Sequence, residues 1–469
     1  MWRGFSLLAL LGVGYLLTFQ VLENLHHLGT VQPTGRPAAG TMDAAPWAMA
    51  EWSSSAFSGT EVVGAIHVHT QRSHDAFGTA AELAGAARDA GLDFALVTDH
   101  MPRNDRDYPA MPEAPDGTPV YPHPFGPDPA LKLDEVLLVA GREMSLTVEV
   151  GRALTFGLDT LVNPWEGGRE ALLERARDKG STLIITHPRS PRVRDRWKDH
   201  PVEGFSAMEV LNLSDAARRR LASPAVLHQV ASLLAGAALG RLDHALAGLF
   251  PTPLVEPELA AWDSLSLDWQ IQGVGAANHH PKRRFRGEPF LPYGPFLRVL
   301  ANHMVLTHPL PDAPQEAGPS LLASLGQVPS HISLVDAHGA RGFRMEAVYA
   351  PSPDARIRAG EAGPFRPGGV LRAGWPLDEG GEAAAVHRGD DLLFRVMRNG
   401  VQEGWWEGRE LHIPLQRPGV YRVEVYRRTL RLGRWSWGLS PWIVSNPVWV
   451  GMDGVEPSRP DMAESGEIG

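Results

Sequence analysis

The chain has 469 residues, a formal charge of −10, 43% apolar and 21% charged residues. That length suggests two or three domains, and the composition is that of a soluble globular protein able to bury a sizeable core. No basic run or stripe accompanies the negative charge, which argues against a nucleic-acid partner. The absence of cysteine rules out disulfides, thiolate zinc sites and thiol nucleophiles, leaving His and carboxylate to hold any transition metal.

Residues 1–22 read as a membrane anchor or signal sequence. From Phe5 to Leu22 only Ser6, Thr18 and Gln20 interrupt an apolar run, and Arg3 precedes it. Eighteen helical residues are just sufficient for a hydrocarbon core of ~30 Å. The expectation is a signal anchor in the bacterial inner membrane with the rest of the chain periplasmic. The alternative is secretion after cleavage near Ala38-Ala39-Gly40 or Ala48-Met49-Ala50. Residues 23–58 read as a linker rich in Gly, Pro, Ala and Thr.

From Val62 onward, strand and helix patterns alternate. Strands are expected over Val62–Val68, Phe94–Thr98, Val136–Ala140, Thr182–Thr186, Met208–Leu213, Gln270–Ala276 and Met304–Thr307. Helices are expected over Thr79–Ala90, closed by Gly91, over Gly168–Lys179, closed by Gly180, and across Ala216–Leu239. Such alternation implies an α/β fold, with parallel strands closing as a distorted TIM-like barrel over residues 59–327. A Pro-rich insertion, Arg103–Pro129, follows Asp99-His100 directly and reads as a lid. Residues 328–452 change texture to short alternating runs with many tryptophans and an Asn399-Gly400 hairpin signal, which implies a small all-β, immunoglobulin-like sandwich with a Trp-containing core. Residues 453–469 read as a disordered tail.

Six short stretches in the barrel region each place a ligand-type residue beside a turn or a strand end: Ile66-His67-Val68-His69-Thr70, Ser73-His74-Asp75, Val97-Thr98-Asp99-His100, Ala140-Gly141-Arg142-Glu143, Ile185-Thr186-His187-Pro188 and Ala277-Asn278-His279-His280. Residues i and i+2 of a strand share a side, so His67 and His69 present two imidazoles at one strand's carboxyl end, where barrel active sites gather. Independent strands do not commonly all end in a ligand, and their joint occurrence points to a multi-metal site.

In this order, His-x-His-Thr, Thr-Asp-His, Gly-x-Glu and Thr-His-Pro, followed by an Asp-x-His-like element, resemble the polymerase-and-histidinol-phosphatase (PHP) superfamily. The resemblance covers about Val62 to Thr307 and implies a distorted (β/α)7 barrel holding two or three divalent cations, zinc, manganese or iron. Gly419–Val425 and Pro441–Pro447 resemble the carboxyl-terminal β-domain of the branch containing the bacterial carbaryl hydrolases. Carried over by position, the resemblance implies His67, His69, His100, Glu143, His187 and His280 as metal ligands, with Glu143 bridging. It gives Asp75 the place after the first motif, with His74 as the alternative there or as a substrate contact. Asp99 would act catalytically with Glu143 and His187, as a weak ligand or by orienting His100. Asn278 stands where the last motif has Asp. Either His279 takes over one bond, or fewer cations bind, or catalysis is lost.

Other features have more than one reading. Glu209 and Asn212 at a strand end suit structural bonding or support of the site equally. Lys282-Arg283-Arg284-Arg286 follows the last motif; Arg283 and Arg284 could contact a phosphate, or the run could be a solvated loop. Arg218-Arg219-Arg220 reads as a helix surface. The expected function is an exported metal-dependent hydrolase of small-molecule phosphoesters using a metal-activated water. Carboxylester or carbamate hydrolysis is the alternative, and a non-catalytic binding or adhesion protein with a degenerate site is the rival.

Overall fold

The computed structural model describes residues 59–100, 129–145, 151–157, 180–198, 202–224, 226–285, 288–349, 356–376, 392–432, 435–452 and 454–458, together with Glu174 and Asp178. The expected anchor, the linker, the lid up to residue 128, most of the helix expected over Gly168–Lys179 and the tail beyond Ser458 lie outside these residues. Among the described residues no helix is long and apolar enough to cross a membrane.

The first nine strands are β1 (Thr60–Val68), β2 (Phe94–His100), β3 (Ala130–Leu133), β4 (Val136–Ser145), β5 (Arg152–Phe156), β6 (Thr182–Thr186), β7 (Ala207–Asn212), β8 (Trp269–Gln270) and β9 (Gln272–His279). Seven of them close a ring in the order β1-β2-β4-β5-β6-β7-β9 and back to β1. β6, β7 and β9 are buried along their whole length and β2 up to its last residue. Strands covered on both faces need near-continuous apolar sequence, which is what made them legible.

The expected (β/α)7 barrel is met in part: the ring is closed and has seven strands, but many strands are added to it and one of the seven is antiparallel. β5 runs antiparallel to both β4 and β6, because a short reversal after Ser145 leaves no room for a crossover helix. The strand expected at Met304–Thr307 is not in the ring. After the hairpin of β10 (Lys282–Phe285) and β11 (Glu288–Phe290), it forms β12 (Leu300–Leu306), antiparallel to the amino half of β1. The carboxyl half of β1 turns to pair with β9 instead, so β1 serves two neighbours on that side.

The helix Ala80–Asp89 starts with the reciprocal cap its sequence encodes. Thr79 Oγ1 accepts the Glu82 N–H at 3.1 Å and Glu82 Oε2 accepts the Thr79 N–H at 2.7 Å. Gly91 follows at φ +72, the left-handed position that Gly takes without strain. The single helical stretch expected over Ala216–Leu239 is two helices, Leu213–Leu221 and Val226–Ala238. The break falls at Pro224, which has no N–H to continue the first.

Beyond the barrel come β13 (Ser330–Leu334), β14 (Arg344–Val348), β15 (Arg356–Arg358), β16 (Ala362–Gly363), β17 (Val370–Gly374), β18 (Leu392–Arg398), β19 (Val401–Gly408), β20 (Leu411–Pro414), β21 (Gly419–Leu432), β22 (Trp435–Ser445) and β23 (Val448–Val450). One layer is β15-β14-β17-β20; the other contains β16, β23, β21 and β22, with β18 beside β21 and β19 beside β18. Between them lies a core that includes Phe343, Trp375, Phe394 and Trp442. Asn399 (φ 53) and Gly400 (φ 74) join β18 to β19, with Arg398 paired to Val401, as a two-residue turn with both central residues left-handed.

The two halves share one hydrogen-bonded sheet, because β13 pairs with β12 on one side and β22 on the other. Side chains add to the seam. Asn446 exchanges two hydrogen bonds with the Gly273 backbone, at 2.6 and 3.0 Å. Arg422 on β21 donates to both oxygens of Asp263, on the helix Pro257–Leu265, at 2.6 and 2.8 Å, and to Glu424 at 2.6 Å. Arg422 and Glu424 are buried, so removing the guanidinium takes one of two cationic partners from a buried carboxylate, which keeps Arg395 and Tyr426, and takes Asp263's partner across the seam. Arg422→Ala is expected to cost about 3–5 kcal/mol in denaturant unfolding; a loss below about 1 kcal/mol would show that the seam does not depend on this pair.

Candidate metal centre

The six parallel ring strands point their carboxyl ends at one mouth. β5 runs the other way, so its first residue, Arg152, arrives at the same mouth, paired with Ser145 on one side and Thr186 on the other. Three backbones are left-handed here: His67 (φ 65), His187 (φ 56) and Asn278 (φ 42). Non-Gly residues in that region are uncommon and gather at functional sites. At His67 the register of β1 with both β2 and β9 shifts. A bulge of this kind re-aims a side chain, so simple alternation is not what brings His67 and His69 together.

Glu143 is the hub. It is 1% exposed, and its Oε2 lies 3.2 Å from His67 Nε2, 3.4 Å from His69 Nε2 and 3.1 Å from His100 Nδ1. Its Oε1 lies 2.7 Å from Arg152 Nη1 and 3.5 Å from His187 Nε2. Burial opposes its charge, but His100 and His67 outweigh burial and hold the carboxyl well below the usual range. His69 Nε2 is buried and has no hydrogen-bond partner, a costly arrangement for a nitrogen in a polar site. Burial, reinforced by His280 and His100, keeps the His69 imidazole neutral, the state in which it can bind a cation.

Outer carboxylates orient the rings. Glu209 Oε1 is 2.5 Å from His67 Nδ1 and Asp215 Oδ2 is 2.6 Å from His187 Nδ1, so both rings turn Nε2 toward Glu143. Metal-binding histidines are commonly oriented by such a carboxylate. Asp215 is in turn fixed by Arg218 at 2.7 Å and Ser190 Oγ at 3.0 Å. Glu209 Oε2 accepts the His187 N–H at 3.1 Å and an Asn212 amide proton at 2.8 Å. Burial lowers the His187 pKa, but Asp215 outweighs it and raises the group to about 10.

A second group lies beside the first. His100 Nε2, His280 Nε2 and Asp75 Oδ2 are separated by 3.5, 3.5 and 3.7 Å. Four donors around zinc at 2.0–2.2 Å form a tetrahedron with edges of about 3.4 Å, so these three could share one ion. His69 stacks on His280 with ring centroids 3.8 Å apart and planes inclined by 16°. Donor atoms of His69, His100 and His280 also lie within 4.8 Å of one another, although the stacked rings aim their in-plane lone pairs side by side rather than at one point, and His69 Nε2 lies 3.4 Å from Glu143 as well. His67, Glu143 and His187 form another set whose donor atoms lie within 4.8 Å of one another. The His and Glu groups of this mouth could thus hold divalent metal, with Glu143 shared between sets.

Of the expected residues, His67, His69, Asp75, His100, Glu143, His187 and His280 are brought together. His74 lies at the exposed rim, its ring 5.1 Å from that of His100. Two expectations are corrected. His279 turns away, with Nε2 2.9 Å from the Leu291 carbonyl and its ring stacked 3.7 Å from Phe296, so it does not take over a bond from its neighbour. Asp99 does not orient His100: its oxygens accept the Thr70 N–H at 2.6 Å and the Thr70 hydroxyl at 2.7 Å, bracing the loop after β1. The side chains of Arg283 and Arg284 lie outside the described residues.

Asn278 does reach the mouth, 3.2 Å from His187 Nε2 through its amide nitrogen. The orientation is fixed by a chain of partners. Asn212 Oδ1 accepts the Asp215 N–H at 3.1 Å and must also accept from Asn278 Nδ2 at 3.3 Å. A donor therefore stands where the motif would put a carboxylate. The sequence reading missed Arg152, on the antiparallel strand, and Asp215, inside a helix with no motif spacing to mark it.

Comparisons with known proteins add two solved structures. No family model matches the chain, and no curated protein does. A two-domain protein from Bacteroides vulgatus containing a predicted PHP-like metal-dependent phosphoesterase aligns over 88% of this chain and 99% of its own, with 12% identity and a TM-score of 0.36. Endonuclease Q, in complex with a 27-mer duplex carrying an abasic lesion, aligns over 57% of this chain and 58% of its own, with 13% identity and a TM-score of 0.28. At these scores neither carries an argument about this chain, and the site stands on its geometry.

Asp215→Asn is expected to weaken Zn²⁺ or Mn²⁺ binding about 10–100-fold in a chelator competition. Unchanged affinity would show that the His187–Asp215 pair does not serve a metal.

Proposed function

We propose that the chain is a metal-dependent hydrolase of small-molecule phosphoesters. The observation that carries this is Glu143, with both oxygens among the imidazoles of His67, His69, His100 and His187 while the buried Nε2 of His69 lacks any hydrogen-bond partner. The donor set is imidazole and carboxylate, which suits zinc, manganese or iron, and the grouping of donors suits two or three ions. Divalent cations held there would lower the pKa of a coordinated water toward neutrality and offset negative charge developing on the substrate.

The chain's own residues supply the rest. Glu209 and Asp215 hold the His67 and His187 rings in the orientation that keeps each Nε2 inward. Arg152, held between Glu143 and Asp195 at 2.7 and 2.8 Å, places a guanidinium in the cleft. A planar fork of that kind pairs bidentately with phosphate, which favours phosphoesters over neutral esters. Asp75 is the most open of the donors, 36% exposed, so substrate approaches from the side of Asp75 and His74. The motif order also resembles that of the PHP superfamily.

Purified chain loaded with Mn²⁺ or Zn²⁺ should turn over p-nitrophenyl phosphate, and His187→Ala should reduce this to background. Arg152→Ala should raise KM for the phosphoester about tenfold or more, the scale of one lost charge-assisted contact of about 1.5–3 kcal/mol. Turnover of a naphthyl ester or carbamate without phosphoester turnover would instead select the carboxylester reading. Metal bound with no turnover of either would leave a binding protein, and elemental analysis showing no metal would end the hydrolase reading.

A further inference from the structure

The helix Val226–Ala238 is built inside out. Its buried positions are His228, Gln229 and Gly236, while Leu227 is 78%, Val230 40% and Leu234 67% exposed. Spacings of three and four residues put Leu227, Val230 and Leu234 on one face. Leu221 (44%) and Leu239 (70%) lie just beyond the two ends of the helix. Globular proteins normally turn such a stripe inward. The inward side is already filled: Leu233 packs on the barrel core, and a Cβ on Gly236 would come within 2.6 Å of Ala245. Residues 221–240 contain no Asp, Glu, Lys or Arg, and Arg220 and Arg241 bound the stretch. An uncovered apolar face of this extent marks an interaction surface.

Three occupants could cover it. A second copy would bring its own 13-residue helix, only about 20 Å long. One such helix laid on its twin covers well short of the about 800 Å² per partner of a standard stable interface. The chain's own apolar run, Phe5–Leu22, has no polar face, so covering the helix with it would leave its other sides in water. A bilayer takes up both segments. Residues 23–59 join the run to β1, and a stretch of that length, which reads in sequence as a linker, would reach about 30 Å as a random coil, keeping the barrel near the surface. Tethering also raises the effective concentration of a weak second contact to the millimolar range.

We propose that the exposed face of the helix Val226–Ala238 seats in the interface of the bilayer to which residues 5–22 attach the chain, as a peripheral contact that does not span it. The inference rests on the reading of residues 5–22 as an anchor and is independent of the hydrolase reading. Its outward residues are leucine and valine with no charge among them, so it recognises acyl-chain surface rather than a particular headgroup.

The lack of cysteine permits a clean test on the full chain. Leu234→Cys, and Asp89→Cys as a control at an exposed position of the helix Ala80–Asp89, each receive a bimane label, and the protein is reconstituted into phosphatidylcholine–phosphatidylglycerol vesicles with brominated acyl chains. Quenching at position 234 at least about threefold above that at position 89 is expected. Leu227→Glu together with Val230→Glu in the Leu234→Cys chain should remove that excess, while flotation through residues 5–22 and the unfolding transition persist. Equal quenching at the two labels overturns the proposal, as does failure of the chain to float. In the unlabelled Leu234→Cys chain, disulfide dimers formed with copper phenanthroline as oxidant, together with no excess quenching of the labelled chain, assign the face to a second copy, and a cross-link from a benzophenone maleimide at that position to the 5–22 run assigns it to the chain's own segment. Either result also overturns the proposal.

Discussion

One buried carboxylate organises this molecule. Glu143 sits near the end of β4 with four imidazoles from three separate parts of the chain and a guanidinium from a fourth turned toward its two oxygens. Taking an ion out of water is costly, and it is tolerated only where good geometry and further hydrogen bonds offset the loss. Here the compensation is distributed. Three of the four rings that face Glu143 are held from behind, His67 by Glu209, His187 by Asp215 and His69 by Ser73, and Glu209 and Asp215 are held in turn by Asn212, Arg218 and Ser190. The left-handed backbones at His67, His187 and Asn278 cost on the order of 1–3 kcal/mol each. They persist because the ring strands around them are paired on both sides.

The site was more legible than the fold. Strands buried on both faces betray themselves as apolar runs, and a ligand at the end of each run marks a strand that finishes at the mouth. That is why His67, His100, Glu143 and His187 could be named from sequence. Arg152 could not, because Arg-Ala-Leu-Thr-Phe is too short a strand to show a period and follows a reversal rather than a helix. Asp215 was hidden for another reason. It lies in the first turn of a helix, where an acidic residue is ordinary, and only the fold brings it against His187. His279 shows the converse error: next to a ligand in sequence, it turns to Phe296 and the Leu291 carbonyl instead. The Met304–Thr307 run read as a ring member because apolar content alone does not tell a parallel neighbour from an antiparallel one.

Asn278 shows how a single atom can set the character of a site. The amide is locked by Asn212, which is locked by Asp215, which also holds His187. Exchanging its nitrogen for oxygen would oppose two acceptors at Asn212 Oδ1, so the neutral residue is part of a consistent network rather than an isolated loss of charge. The metal set closest to it therefore depends on Glu143 for its negative charge, and the same carboxylate is shared with Arg152.

The shared sheet has a consequence for how the chain can be divided. Strand β13 is the hinge of the ladder, hydrogen-bonded to β12 of the barrel and to β22 of the sandwich. An expression product ending before it would leave β12 as a raw sheet edge with its amides and carbonyls open to any passing strand. Such a fragment would find its missing neighbour in another copy of itself and precipitate. The two halves are therefore separable in composition but not in solubility, and evolution could duplicate or trade them only by carrying β13 along.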